Sequence, residues 1–217
     1  MGKIRNLVWV LPAVLWVIAI LAYPLFYNVN LSFTNAKLTK PTYHYVWFSN
    51  YRAILLDEVF IQALTNTLTF MFVGTLIVIA VGILAGILFS VEFRFVNILR
   101  GLVFLPWIMP EIVTGTAWRW MLQSEMGIIN RILMDLRLIS HGLPWLGEPS
   151  LALLSVTVIQ AWRVMPFYML LVASAILSVD PELYEAAEID GASSVNKFVH
   201  ITLPQIRYSL VIGTLLT

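Results

Sequence analysis

The chain returns repeatedly to apolar stretches of bilayer length. Runs at 7–25, 63–89, 98–122 and 151–178 hold few charges, and a fifth begins at 203. A helix of about twenty apolar residues crosses the hydrocarbon of a bilayer. No water serves the backbone there, so each run must satisfy its own N–H and C=O groups, as a helix does. The expected fold is therefore all-α, a polytopic membrane helix bundle. Only 12% of the residues are charged and 60% are hydrophobic, against about a quarter charged in a soluble domain. Nothing in the sequence marks a separate soluble domain.

Several function classes drop out early. The net charge of +1 points to no nucleic-acid partner. There is no cysteine, which excludes disulfide and thiolate chemistry. His44, His141 and His200 are scattered, without metal-ligand spacing. No Ser/His/Asp cluster suggests a membrane enzyme, and no phosphate-binding loop of the G-x-x-x-x-G-K-[ST] type is present. Any ATP is thus expected on another chain or domain, with no cofactor and no metal on this one.

Lys3 and Arg5 precede the first run, which is longer than the roughly 7–15 apolar residues of a secretory signal. It reads as a retained anchor, with Pro12 and Pro24 tolerated near its ends. Residues 28–58 are polar and aromatic. Tyr43, Tyr45, Trp47, Phe48 and Tyr51 suit a belt at the headgroup level. The second run carries Gly82-x-x-x-Gly86, which lets another helix approach closely. The third run holds Pro106 and Pro110, so a kink or unwinding is expected, with Glu111 near its middle. A carboxylate at that depth faces the bundle interior or a wet cavity. It serves either as a structural partner or in a solute pathway. Residues 123–150 form a loop in which Ile128, Ile129, Ile132, Leu133, Leu136 and Ile139 recur at helical spacing opposite Asn130, Arg131, Asp135 and Arg137. That pattern predicts an amphipathic helix on the membrane surface. In the fourth run Gln160, Arg163, Phe167 and Ser174 share one face. An amide, a guanidinium and a ring on one stripe suit a polyhydroxylated ligand. Arg163 equally suits an ion pair with Glu111.

The polar interval at 181–206 carries more than a connector needs. Asp180 suits an N-cap and Pro181 the first helical position. Gly191 suits the left-handed residue that ends a helix. Ser193 or Ser194 starts a second short helix with Phe198 and Ile201 on one face. Thr202-x-x-Gln205 fits a capping box, so a further helix is expected to start there.

Glu185-Ala186-Ala187, then Asp190-Gly191-Ala192, then Ile201-x-Leu203-Pro204 resembles the EAA loop of binding-protein-dependent ABC importer permeases. The flanking Pro181-x-Leu183-Tyr184 and Phe198 resemble the carbohydrate-importer branch, of the maltose and glycerol-phosphate type. The stretch from Leu105-Pro106-Trp107 through Pro110-Glu111 to Trp118-Arg119-Trp120 is similar to the same branch. The resemblance implies the type I importer permease fold, with a first anchor and outer loop at 1–59. A permease core follows at 60–217. Five spans of a six-span core are begun, and the core is cut off within span five, since 203–217 is shorter than a span.

In that family the loop is a coupling helix gripped by an ATPase subunit, which implies coupling roles for Glu185, Ala186, Ala187, Asp190, Gly191 and Pro204. By position in the maltose type, the substrate path is implied to involve Gln160, Trp162, Arg163 and Phe167, with Glu111 beside them. The implied partners are a second permease subunit, two ATP-binding subunits and an extracytoplasmic solute-binding protein. The setting is the inner membrane, with the N-terminus and the 180–203 loop cytoplasmic. Charge alone does not orient the chain. Six basic residues (Lys3, Arg5, Arg94, Arg100, Lys197, Arg207) stand against five (Lys37, Lys40, Arg52, Arg131, Arg137). A gradient-driven carrier built on Glu111, and an importer for a solute other than a sugar, remain alternatives.

Overall fold

The computed structural model describes residues 2–37, 39 and 42–217, with side chains from Trp9 onward. The side chains of Lys3 and Arg5, and all of Lys40, lie outside the described residues, so part of the charge balance does too. Among the described residues the chain is helical, with one isolated antiparallel bridge from Thr34 to Tyr45 and no strand. It divides into two compact units, Met1–Thr65 and Asn66–Thr217.

The first unit opens with α1, Gly2–Ser32. It runs past residue 25 because nothing in the following turn breaks a helix. Its last carbonyls are met by hydroxyls instead: Ser32 Oγ donates to Val29 O at 2.7 Å and Thr34 Oγ1 to Leu31 O at 2.8 Å. The 24 residues Trp9–Ser32 are long and apolar enough to cross a membrane. The short helix α2, Ser49–Leu55, was not legible in the polar stretch. Asn50 fixes it by donating to the carbonyls of Ser32 and Thr34 at 2.9 and 2.7 Å. The rings of Phe33, Phe48 and Tyr51 meet edge-on or tilted around the same junction.

Helix α3, Glu58–Ser90, runs from the first unit into the second. It starts earlier than the apolar run because Asp57 Oδ1 accepts from the Val59 N–H at 2.8 Å. The third apolar run is two helices, α4 at Val96–Ile108 and α5 at Glu111–Met121, bent by 95°. Pro106 is carried within α4. The break comes only at Pro110, which pushes Met109 into extended backbone (φ −64, ψ 135). Glu111 is the first residue of α5, directly after the break, where the helix dipole favours a negative charge.

The remaining elements are α6 (Ile128–Asp135), α7 (Pro149–Leu177), α8 (Pro181–Ile189), α9 (Ser194–Lys197), a π-helical turn (Phe198–Thr202) and α10 (Leu203–Leu216). Among the described residues three helices, or four if the bent pair is one span, are long and apolar enough to cross a membrane.

Lipid is as apolar as leucine, so close packing rather than hydrophobicity holds spans together. The core of the second unit is fully buried Tyr168 on α7, whose hydroxyl lies 3.4 Å from Leu210 O and Thr214 Oγ1 of α10. A Cβ on Gly82 would come within 2.6 Å of the Tyr168 ring, and one on Gly86 within 2.5 Å of Val172. The glycine pair of α3 therefore admits α7.

Two local readings are corrected. Helix α6 stops at Asp135 rather than near 139, because Arg137 turns left-handed (φ 57). Asn130, assigned to its polar face, is instead buried. Helix α10 begins at Leu203 as the sequence indicates, but without the expected Thr202 cap. The Thr202 backbone is helical, its side chain makes no cap, and the chain winds through the π-turn directly into α10.

Candidate functional site

Two groups of the anticipated residues lie in the second unit. The first is α8. Asp180 Oδ1 accepts from the Glu182 N–H at 3.0 Å, and Pro181 follows at the first position. At the far end Gly191 takes φ 74, its N–H donating to Glu188 O at 3.0 Å and that of Ala192 to Ala187 O at 2.9 Å. This pairing closes the helix on its own last carbonyls. The Asp180 cap and the left-handed Gly191 are as the sequence indicates.

The register of α8 sorts its side chains. Glu182, Glu185, Ala186 and Ile189 fall at i, i+3, i+4 and i+7 on one exposed stripe, and Ile189 is 88% exposed. Asp190 and Pro204 are exposed, and Ala187 is half-buried. Tyr184 turns inward, packs on the core with Ile176 and Ile201, and holds its hydroxyl 2.9 Å from Thr202 Oγ1. Lys197 Nζ donates to Glu188 Oε1 at 2.6 Å. That hydrogen bond, and then the ammonium charge, hold the Glu188 carboxyl below its ordinary value of 4.5. Ser193 Oγ caps α9 by accepting from the Asn196 N–H at 3.3 Å.

The second group joins α5 to α7. Arg163 donates to Glu111 Oε1 at 2.6 Å and to Gln160 Oε1 at 3.3 Å. The guanidinium is mostly covered, with 18% side-chain exposure, while the carboxylate stands open at 79%. Phe167 stacks on Trp107 of α4 at 5.5 Å, and Trp107 stacks in turn on Phe104 at 5.1 Å. Trp162 meets Trp118 of α5 edge-on at 5.4 Å. Gln160 also lines an apolar cavity of about 330 Å³ with Phe70, Met71, Val164 and Thr214. Of the two readings open for Arg163, the ion pair with Glu111 is present. The site candidates did not include Trp107 and Trp118, whose rings complete this cluster. Trp107 lies one residue before the end of α4 and Trp118 three before the end of α5. Thr202, the partner of Tyr184, carries no local signal, because 18 residues separate the two.

Comparison with known proteins agrees with this architecture. The model of the family described as "binding-protein-dependent transport system inner membrane component" matches residues 78–217. The chain is 31% identical to the diacetylchitobiose uptake system permease protein DasB of Streptomyces coelicolor, over 99% of this chain and 67% of that one. It is 28% identical to the trehalose/maltose transport system permease protein MalF of Thermococcus litoralis, over 95% of this chain and 70% of that one. Its fold matches, with a TM-score of 0.78 and 22% identity, a bacterial alginate ABC transporter solved with an alginate pentasaccharide-bound periplasmic protein. That match covers 97% of this chain and 71% of the other.

Proposed function

This chain belongs to the family of binding-protein-dependent transport system inner membrane components, and on that premise we propose that it is the permease subunit of an ATP-driven importer for a sugar or related polyhydroxylated solute. Residues 60–217 form the permease core. The first span and its outer loop, 1–59, stand before it.

The exposed stripe Glu182, Glu185, Ala186, Ile189 on α8 carries the reading. An exposed isoleucine beside small alanines and carboxylates matches a helix that lies in a partner's groove. Glu185 and Ala186 enter that groove on an ATP-binding subunit, and Asp190 and Gly191 shape the turn that presents them. Pro204 and Ala187 back the same surface. Each of two ATP-binding subunits holds one such helix, the other coming from a second permease subunit. This arrangement puts the 180–203 loop and the N-terminus in the cytoplasm. ATP is bound and cleaved by the partners, and this chain moves solute.

The sugar assignment draws on the transport roles in the names of the diacetylchitobiose and trehalose/maltose relatives. The α5–α7 cluster fits it: Gln160, Arg163 and Glu111 offer donors and acceptors to hydroxyls, and Phe167 and Trp162 offer rings to sugar C–H faces. A solute-binding protein delivers the ligand from outside.

The test is uptake of labelled maltose and labelled diacetylchitobiose into proteoliposomes holding the full complex and its binding protein. Uptake of either that needs lumenal ATP, stops with vanadate and survives collapse of H⁺ and Na⁺ gradients is expected. Uptake that persists without ATP and stops with the gradient contradicts the proposal.

A further inference from the structure

Helix α8 contains no buried residue, and it ends at Gly191, a left-handed joint (φ 74). A nine-residue helix on such a joint transmits force only if side chains fix it to a span. Two ties do so. Glu188–Lys197 is 65% exposed on the carboxylate side, so solvent weakens it. Tyr184–Thr202 is sheltered, with Thr202 only 6% exposed and Tyr184 packed on the core.

The sheltered tie lands on the π-turn. There the Leu203 N–H bonds to Phe198 O, five residues back, so one extra residue is wound into the turn. Pro204 follows directly. It has no N–H for the carbonyl of His200, and its ring crowds that carbonyl. A wider turn just upstream relieves the crowding, and such turns gather at functional sites. The same turn brings the Thr202 hydroxyl to Tyr184. Beyond it α10 runs unbroken and packs its Ile206 and Gly213 against the core.

We propose that Tyr184 and Thr202 are positioning residues that lock α8 to the π-turn, so that displacement of α8 is delivered to α10 rather than lost in rotation about Gly191. This inference rests on the reading of α8 as the helix held by the ATPase partner.

The chain has no cysteine, so a single reporter at Ser209→Cys on α10 can be labelled with a maleimide in the assembled complex. Wild type is expected to change its labelling rate when ATP and vanadate trap the ATPase. Tyr184→Phe and Thr202→Val keep shape but lose the hydrogen bond. Each is expected to retain the ATPase subunit and its basal ATP turnover while the labelling response falls about fivefold, the equivalent of one net hydrogen bond. Thr202→Ser restores the response, and the double variant is no worse than either single one. A wild-type response in both single variants overturns the proposal. So does loss of the ATPase subunit, which would place Tyr184 in the docking surface itself. Glu185→Lys is run alongside. If it keeps both association and response, the reading of α8 fails independently of Tyr184.

Discussion

Residues 123–148 and 178–202 are the two polar intervals of the second unit, and they solve one local problem in opposite ways. Each holds a short helix that ends on a left-handed residue, Arg137 at φ 57 and Gly191 at φ 74. In both, two backbone N–H groups fold back onto the last turn. The first interval is then closed from within. Asn130 is fully buried, and its Nδ2 donates to the carbonyls of Gln123, Ser124 and Leu143. Its Oδ1 accepts from Leu143 N and Trp145 Nε1. The second interval has no such hub. It keeps α8 outside and ties it down at two side chains. One interval is closed on a buried side chain, and the other leaves the stripe Glu182, Glu185, Ala186 and Ile189 exposed.

Breaking the hub separates them most. Asn130→Ala removes five hydrogen bonds, and of the partners Gln123 O still accepts from the Gly127 N–H; a cost of about 3 kcal/mol or more is expected. Thermal unfolding in detergent reads this as a lowered Tm, with early proteolysis within 123–148. Glu185→Ala, on the exposed stripe, is expected to stay within about 0.5 kcal/mol of wild type. An equal loss in both would erase the distinction.

The two left-handed residues give a smaller and asymmetric effect. A Cβ at Gly191 meets no atom within 4 Å, so Gly191→Ala tests backbone strain alone. A cost of about 1–2 kcal/mol is expected. Arg137→Gly removes the same strain but frees the unfolded chain, and is expected to change stability by less than about 1 kcal/mol. Hydrogen exchange at 186–192 and 133–138 reads each locally.

The smallest effect is from pH. The Glu188 carboxyl is lowered below 4.5 by Lys197. Its contribution is therefore present above that value and is lost as pH falls through the lowered one. Acidification from pH 6 to pH 3 is expected to lower the protection factors of the α8 amides, with the intrinsic exchange rate at each pH divided out, and Glu188→Gln to abolish the change. An unaltered pH response in Glu188→Gln would assign it to another group.

The residues that announced themselves were those whose role is local. Asp180, Pro181 and Gly191 act on their own backbone, so the ends of α8 were legible. Gly82 and Gly86 promised a close helix approach and have one. Asn130 looked like a surface residue because its five partners are spread over 123–145. Thr202 fitted a capping box, but the π-turn carries the helix through it and Tyr184 takes the hydroxyl. Pro110 rather than Pro106 breaks the third run, since only there does the preceding residue leave helical backbone. The pairing of Glu111 with Arg163 was one of two readings, and its hydrogen bond joins residues 52 apart in sequence, which no local pattern marks.

In the proposed complex α8 presents its outer stripe to an ATP-binding subunit. The deciding experiment is co-purification of that subunit with the whole complex, comparing wild type with Glu185→Lys and Gly191→Pro. Both variants are expected to insert in the membrane normally and to lose the ATP-binding subunit, the first by reversing a charge offered to the groove and the second by breaking the turn. Full retention of the subunit by both would contradict the proposed docking.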